Sequence, residues 1–308
     1  MAYASTRPAD GVRLGRFLEE YGVDLSDVYR DNARSGWTPL LRDAGVLRAI
    51  DEPEGEASVV RSFRMLLHSD DPEQLALIRR VAEAQGNYVV DSKRTARRMQ
   101  MLAYQLDHAS KGEHYKLLQP LEALPHAKNE LRQLAEVLEA RSRVTRVPIS
   151  GFDELPLLLH ARYSRREVLT AVGYHTADSR PSAREGVLNL PGEKLQLLFV
   201  TLDKSDGFHD RIAYHDYAVS VSRFHWQTQN SAGPGTETGR RYRESASNGW
   251  RFMLFVRETK EHAFFACGTV RLASVDDVSG AKPMNIVWTL DTALPLVAFR
   301  NFSAIRGV

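Results

Sequence analysis

The chain has 308 residues, of which 43% are hydrophobic and 26% are charged, a composition that excludes a wholly disordered protein. At roughly 100–200 residues per domain, this length predicts two domains or one large one. The net charge is only +2, so overall charge does not indicate a nucleic-acid binder, and any electrostatic argument has to rest on local clusters.

Targeting signals and metal-binding motifs are not apparent in the sequence. No stretch approaches the ~20 consecutive apolar residues of a membrane helix, and the N-terminus lacks the apolar core of a secretion signal. The single cysteine, Cys267, excludes an internal disulfide and a multi-thiolate zinc site. We therefore expect a cytoplasmic protein that needs no metal or other cofactor and does not bind membranes.

The first half of the chain has the apolar spacing of helices. One helix face is predicted by four residues at i, i+3, i+4 and i+7, namely Leu14, Phe17, Leu18 and Tyr21. Gly22 then provides a helix stop. Asp71 followed by Pro72 predicts another helix start, because Asp caps and Pro suits the first turn. With further helices expected over 92–108 and 126–142, this half reads as a small helical bundle.

The character of the sequence changes near residue 150. The basic, β-branched segment Arg141–Ser150 predicts a joint between a helical domain at 1–148 and a β-rich domain at 149–308. Ser164 and Glu167 then form the capping box of one short helix. Six short apolar or alternating runs follow, at 195–202, 212–221, 224–228, 252–258, 263–272 and 286–290. The predicted fold class is α+β, with a curved or barrel-like sheet after the helical bundle.

The densest group of stacking and hydrogen-bonding residues lies between positions 214 and 243. A pocket for a flat, hydrogen-bonding ring needs aromatic walls together with carboxylate or amide groups. The candidates for such a base pocket are Tyr214, Asp216, Tyr217, Phe224, Trp226, Gln227 and Tyr242. Alternating aromatic residues in strands are also typical of core packing, so both interpretations stay open.

Two basic clusters are candidates for contacts to DNA phosphates. The first follows the aromatic strands and comprises Arg240, Arg241 and Arg243. The second lies in a predicted helix of the first domain and comprises Lys93, Arg94, Arg97 and Arg98. A solvated helix face would give the same pattern as the second cluster.

One enzymatic pattern remains as an alternative. Glu258 and Lys260 end a predicted strand as E-x-K, which is half of a PD-(D/E)xK nuclease site. Metal-dependent phosphodiester cleavage would need a second carboxylate, from Asp203, Asp210 or Asp216. A charged strand end entering a turn would have the same sequence.

Eight short pieces stand in order between Tyr163 and Pro295: YSRREVL at 163–169, FVTLDK at 199–204, YHDYA at 214–218, FHWQTQ at 224–229, GRRY at 239–242, LFVRE at 254–258, PMNI at 283–286 and WTL at 288–290. Through these pieces the chain resembles a C-terminal domain, formerly of unknown function, of SauUSI-type modification-dependent restriction enzymes. Leu14–Val46 also resembles the helical segment that follows the helicase in those enzymes.

The resemblance implies recognition of 5-methylcytosine in duplex DNA by the β-rich domain. The chain has neither helicase nor nuclease motifs, so the resemblance implies either a stand-alone reader of modified DNA or a fragment of a larger enzyme. A stand-alone reader is expected to bind modified DNA without translocating on it or cutting it, and a separate helicase–nuclease partner would then supply those activities. The alternatives left open are a nuclease built on Glu258 and Lys260, and a scaffold that docks onto such a partner without contacting DNA.

Overall fold

The computed structural model describes most of the chain, namely residues 12–30, 32, 34–48, 52–86, 88–107, 109–202 and 216–303. The chain divides into two compact units. The helical unit is formed by residues up to 146 together with 153–181, and the β-rich unit by 147–152 together with the residues from 182 onward. Within the described ranges, no helix combines the length and the apolar character needed to cross a bilayer.

The helical unit contains nine described α-helices, the first eight of which share one apolar core. Their bounds are α1 Leu14–Tyr21, α2 Leu25–Val28, α3 Trp37–Asp43, α4 Glu56–Ser62, α5 Pro72–Glu83, α6 Lys93–Leu106, α7 His114–Leu118, α8 Pro125–Arg141 and α9 Arg165–Ala171. The unit also contains 3₁₀ turns at Phe63–Leu66 and Gln119–Ala123 and a short strand β1 at Arg162–Tyr163.

Local sequence signals set several of these helix ends. Gly22 ends α1 in the left-handed conformation, with a φ of 62°, as its position predicted. The Asp71 side chain accepts hydrogen bonds from the backbone N–H groups of Glu73 and Gln74 and so caps α5. Ser164 and Glu167 form the expected capping box of α9. The three predicted helix ends are thereby confirmed.

The division between the units differs from the expected boundary at 148/149, because residues 153–181 pack with the helices. The Tyr163 hydroxyl donates to the Asp71 carboxylate. The Tyr104 hydroxyl in α6 donates to the Thr176 carbonyl oxygen at 2.7 Å. Helix α9 packs against α6. These contacts hold 153–181 in the helical unit, although the segment follows the predicted joint in the sequence.

A buried carboxylate makes the stability of the helical unit depend on pH. Glu130 in α8 accepts hydrogen bonds from the backbone N–H groups of Trp37, at 2.8 Å, and Thr38, at 2.6 Å. Burial raises the pKa of Glu130 from 4.5 to about 7, against these hydrogen bonds, which lower it. The folded protein therefore keeps this proton over a pH range in which the unfolded chain has lost it.

We expect this residue to reduce the unfolding free energy as pH rises from 4.5 to about 7, by about 3 kcal/mol in total. The sign follows because the native state binds more protons than the unfolded state in that range, so ionisation favours unfolding. Urea denaturation at several pH values, comparing the wild type with Glu130→Gln, measures the effect. The unfolding free energy of Glu130→Gln should not show this decrease between pH 4.5 and about 7. The same decrease with pH in both proteins would contradict the prediction.

The β-rich unit contains eight described strands. They are β2 Val187–Leu190, β3 Leu195–Thr201, β4 Tyr217–Ser220, β5 Arg223–Gln227, β6 Arg251–Arg257, β7 Phe264–Arg271, β8 Val278–Ser279 and β9 Asn285–Leu290. Helices α10 Glu237–Arg243 and α11 Leu296–Phe302 and 3₁₀ turns at Pro191–Glu193 and Val275–Asp277 accompany them.

The strands of the β-rich unit form one mixed sheet, in the order β2-β3-β6-β7-β9-β5-β4, and β8 also pairs with β9. The β3–β6 pair is parallel and the other pairs are antiparallel. The α+β class is confirmed. The sheet is open rather than barrel-like, because β2 and β4 are its two edges in the described part of the chain.

Candidate nucleic-acid interface

Three of the predicted pocket residues lie in the core of the β-rich unit. Phe224, Trp226 and Tyr242 are all buried. The Trp226 and Tyr242 rings meet nearly at right angles with centroids 5.3 Å apart, and both contact Trp288. This corrects the expectation that these three rings bound an open base pocket. Phe224 and Trp226 point to the face of the sheet that forms the core, and Tyr242 packs onto the same face from α10.

Tyr242 has its polar group satisfied inside this core. The Gln196 side-chain amide donates to the Tyr242 hydroxyl at 2.8 Å. Burial raises the pKa of Tyr242 to about 12, so the phenol stays neutral. A buried, hydrogen-bonded tyrosine of this kind stabilises the unit and does not present a free ring to a ligand.

Two other predicted residues, Tyr217 and Gln227, lie on the opposite face of strands β4 and β5, together with a histidine. Tyr217 on β4 is directly opposite His225 on β5, and their rings are stacked with centroids 5.0 Å apart and planes 17° apart. Both are half-buried. Gln227 lies two residues beyond His225 and therefore on the same face of β5.

The stacked rings adjoin a hydrogen-bonded cluster at one end of these strands. The Asp216 carboxylate accepts from the Gln227 backbone N–H at 2.8 Å. The Gln227 side-chain amide donates to Asn285 Oδ1, on β9, at 3.3 Å. Among the described residues, Gln227 Oε1 and Asn285 Nδ2 have no hydrogen-bond partner, so the amide pair offers one acceptor and one donor. We call Asp216, Tyr217, His225, Gln227 and Asn285 the amide–ring surface; the remaining predicted pocket residue, Tyr214, lies outside the described residues.

The glycine-rich loop after β5 is packed against the turn before β9. Thr228 and Met284 exchange two hydrogen bonds of 2.9 Å. A Cβ on Gly239 would lie 1.9 Å from the Gly233 carbonyl oxygen, so only glycine fits there. A Cβ on Gly233 would lie 3.1 Å from the Lys282 side chain. This packing fixes the turn that carries Lys282 near the end of the amide–ring surface.

The arginines of the first predicted phosphate cluster differ in their surroundings. Arg240 is exposed and donates to the Gly235 carbonyl oxygen at 2.9 Å. Arg241 stacks over the Trp250 ring at 4.0 Å and pairs with Glu237 at 3.2 Å. Arg243 is exposed. Arg240 and Arg243 therefore remain accessible, whereas Arg241 serves to anchor α10.

The second predicted phosphate cluster is mostly engaged inside the helical unit. Arg98 is buried and pairs with Asp71 and Glu73, both at 2.8 Å. Arg94 also pairs with Glu73 at 2.8 Å. The expectation that Arg94 and Arg98 track a DNA backbone is therefore wrong, because acidic residues at the start of α5 neutralise them. Lys93 is exposed and Arg97 is half-buried.

The structure separates the residues of the nuclease alternative. Glu258 and Lys260 lie just after β6, and Asp216 precedes β4, with β7, β9 and β5 between those two strands. Asp203 and Asp210 lie outside the described residues. Within the ranges that the structure describes, no three His, Cys, Asp or Glu side chains cluster as metal ligands would.

Comparison with known proteins identifies one matching family. Residues 157–302 match the sequence model of a family described as "Domain of unknown function (DUF3427)", which corresponds to just under half of the chain. No curated protein matches the chain. The matched region contains the whole amide–ring surface.

Sequence reasoning missed two residues of this surface and one neighbour: His225, Asn285 and Lys282. His225 lies between two aromatic residues in FHWQ, and its alternation placed it on the face of Gln227. Asn285 lies in PMNI, 58 positions after Gln227. Only the pairing of β5 with β9 brings the two amides together.

Proposed function

We propose that the chain binds duplex DNA carrying 5-methylcytosine and reads the modified base on the amide–ring surface. One observation carries this proposal. The hydrogen-bonded amides of Gln227 and Asn285 lie on the same half-buried face as the stacked rings of Tyr217 and His225. A stacking surface beside one free donor and one free acceptor is what a nucleobase edge requires.

The chemistry of the base fits these groups when it is flipped out of the duplex. The Gln227 Oε1 atom accepts from the cytosine N4 amino group, and the Asn285 Nδ2 atom donates to the ring N3. The Tyr217 and His225 rings supply apolar area for the base and its methyl group. Burying the methyl contributes about 1 kcal/mol, and a good pair of hydrogen bonds about 1–3 kcal/mol.

Phosphate contacts come from the exposed cations around the same unit. Arg240 and Arg243 lie on or at the end of α10, and Lys282 lies in the turn before β9. Such contacts position the protein on the duplex and carry no sequence information. The resemblance of 163–295 to the C-terminal domain of SauUSI-type enzymes supports the same function. We also propose that the protein acts in the cytoplasm beside a partner that supplies helicase and nuclease activity.

Fluorescence anisotropy with labelled duplexes that differ only in cytosine methylation tests the proposal. The wild type is expected to bind the methylated duplex about fivefold more tightly, the equivalent of one buried methyl group. Gln227→Ala and Asn285→Ala should each weaken binding of the methylated duplex about tenfold, through loss of base hydrogen bonds. Asn189→Ala, at an exposed position on the edge strand β2, is the matched control and should bind as the wild type does.

Two outcomes would overturn the proposal. Equal affinity of the wild type for both duplexes would eliminate recognition of the methyl group. A loss in Asn189→Ala as large as that in Gln227→Ala would show that binding of the methylated duplex does not depend on the amide–ring surface in particular. Plasmid cleavage in magnesium that disappears in Glu258→Ala would instead favour the nuclease alternative.

A further inference from the structure

The helical unit has an aromatic cavity that the proposed function does not use. The cavity has a volume of 390 Å³ and is lined by Gly86, Tyr88, Val89, Val90, His114 and Tyr115. Val89 is 75% exposed and Tyr115 is 53% exposed. Large apolar side chains are concentrated here at the surface, beside three rings, and such a patch indicates a binding site.

One wall of the cavity is held rigidly. The Tyr88 hydroxyl donates to the Glu122 carboxylate. Glu122 also pairs with Lys128 Nζ at 3.0 Å, and the same ammonium donates to the Ala84 carbonyl oxygen. Burial, together with the hydrogen bond and charge of Glu122, raises the pKa of Tyr88, so this ring is uncharged at neutral pH. The Tyr88 ring is therefore fixed in place before any ligand binds.

The start of α7 supplies two further lining residues, His114 and Tyr115. The His114 backbone N–H donates to the Gln100 side-chain oxygen at 2.9 Å, which fixes the chain there. The His114 and Tyr115 rings lie 5.9 Å apart, nearly at right angles. Burial lowers the pKa of His114, so its ring is neutral at pH 7. The Lys116 ammonium lies 5.8 Å from the centre of the Tyr115 ring and places a positive charge at the rim.

We propose that this cavity stacks an unpaired nucleobase of a single-stranded nucleic acid. Neutral ring walls suit a flat aromatic ligand, because stacking needs no charge and every base has a π-face. The cation beside Tyr115 suits the phosphate that accompanies each base. An aliphatic peptide would use the valines, but it has no flat ring to stack on the tyrosines and no phosphate to pair with the rim ammonium.

This site is independent of the proposed reading of 5-methylcytosine. It lies in the helical unit, whereas the amide–ring surface lies in the β-rich unit. Its ligand is an unpaired base whose methylation does not matter. Failure of either proposal therefore leaves the other standing, and the two are tested with different probes.

Binding of a labelled twelve-nucleotide oligothymidine strand to the full chain tests the site. Thymidine strands stack little on themselves, so their bases are available. Tyr115→Ala is expected to weaken binding about tenfold, as loss of one stacking partner predicts. A central 2-aminopurine should lose fluorescence on binding the wild type and should lose less on binding Tyr115→Ala. Val89→Ala should weaken binding less, and Val275→Ala, at an exposed valine of the β-rich unit, should have no effect.

The proposal is overturned by any of three results. The first would be failure of the wild type to bind the strand, and the second would be binding to Tyr115→Ala as tight as to the wild type. The third would be a wild type that sediments as a dimer with a Val89→Ala variant that sediments as a monomer, which would assign the exposed valines to an interface between copies of the chain. Unchanged discrimination between methylated and unmethylated duplexes in Tyr115→Ala is expected and supports the independence of the two sites.

Discussion

Replacing Arg98 with alanine is expected to lower the unfolding free energy of the helical unit by about 3–5 kcal/mol. The Arg98 side chain is only 4% exposed, and its two terminal nitrogens each lie 2.8 Å from a carboxylate, of Asp71 and of Glu73. Alanine leaves the Asp71 carboxylate buried without its cation, beside the Tyr163 hydroxyl. Because Asp71 also caps α5, the loss should extend to the start of that helix. Urea denaturation followed by far-ultraviolet circular dichroism measures the change.

Arg30→Ala provides the matched control for Arg98→Ala. Arg30 forms an exposed pair with Asp27 at 3.0 Å, and such pairs contribute about 0–1 kcal/mol. A loss in Arg98→Ala no larger than that in Arg30→Ala would contradict the buried-pair interpretation. At temperatures where Arg98→Ala is folded, the salt dependence of DNA binding by this variant should equal that of the wild type. The reason is that the buried Arg98 guanidinium releases no counterions from DNA.

Charge runs illustrate a limit of sequence reasoning. The cluster from Lys93 to Arg98 is compatible with a phosphate-binding face, a solvated helix face or an internal ion-pair network. The choice depends on Asp71 and Glu73, which lie more than 20 positions earlier in the chain and meet the cluster only through the packing of α5 and α6. The spacing of residues within α6 does not show that α5 will supply these carboxylates.

Features set by neighbouring residues were predictable from the sequence. Gly22, Asp71 and the Ser164–Glu167 box mark helix ends because caps bond to backbone groups within a few positions. The assignment of 153–181 to the helical unit was not predictable, because it rests on contacts such as Tyr104 to Thr176, 72 positions apart. The strands β2 and β8 were also missed, since each is too short to show alternation.

The candidate site was likewise predictable only where neighbouring residues in the sequence determine its structure. Alternation along β5 separates Phe224 and Trp226 from His225 and Gln227, because successive strand residues point to opposite faces. It did not indicate which face the core would cover. That choice depends on Tyr242 and Trp288, which come from α10 and β9 and fill the space over Trp226. The sequence therefore indicated strand β5 correctly, but it led us to assign Phe224 and Trp226 to a base pocket, whereas both lie in the core.

Replacing Trp226 with alanine distinguishes a core ring from a pocket wall. Trp226 is 4% exposed and contacts Tyr242 and Trp288, so Trp226→Ala should cost about 3–5 kcal/mol of unfolding free energy through the cavity that it leaves. Thermal unfolding of the β-rich unit, followed by circular dichroism in the strand region, measures this loss. We expect the transition to move to a markedly lower temperature.

Tyr217→Ala is the complementary variant, because Tyr217 belongs to the opposite, half-exposed face of the same sheet. It should cost about 1 kcal/mol of stability or less, since its ring stacks on His225 outside the core. It should nevertheless weaken binding of the methylated duplex about tenfold, through loss of base stacking. The opposite pattern would contradict our assignment: if Trp226→Ala kept its stability but lost the methylated duplex, the buried face would be the reading face. The two variants thus assign base recognition to one side of the sheet by comparing stability with affinity.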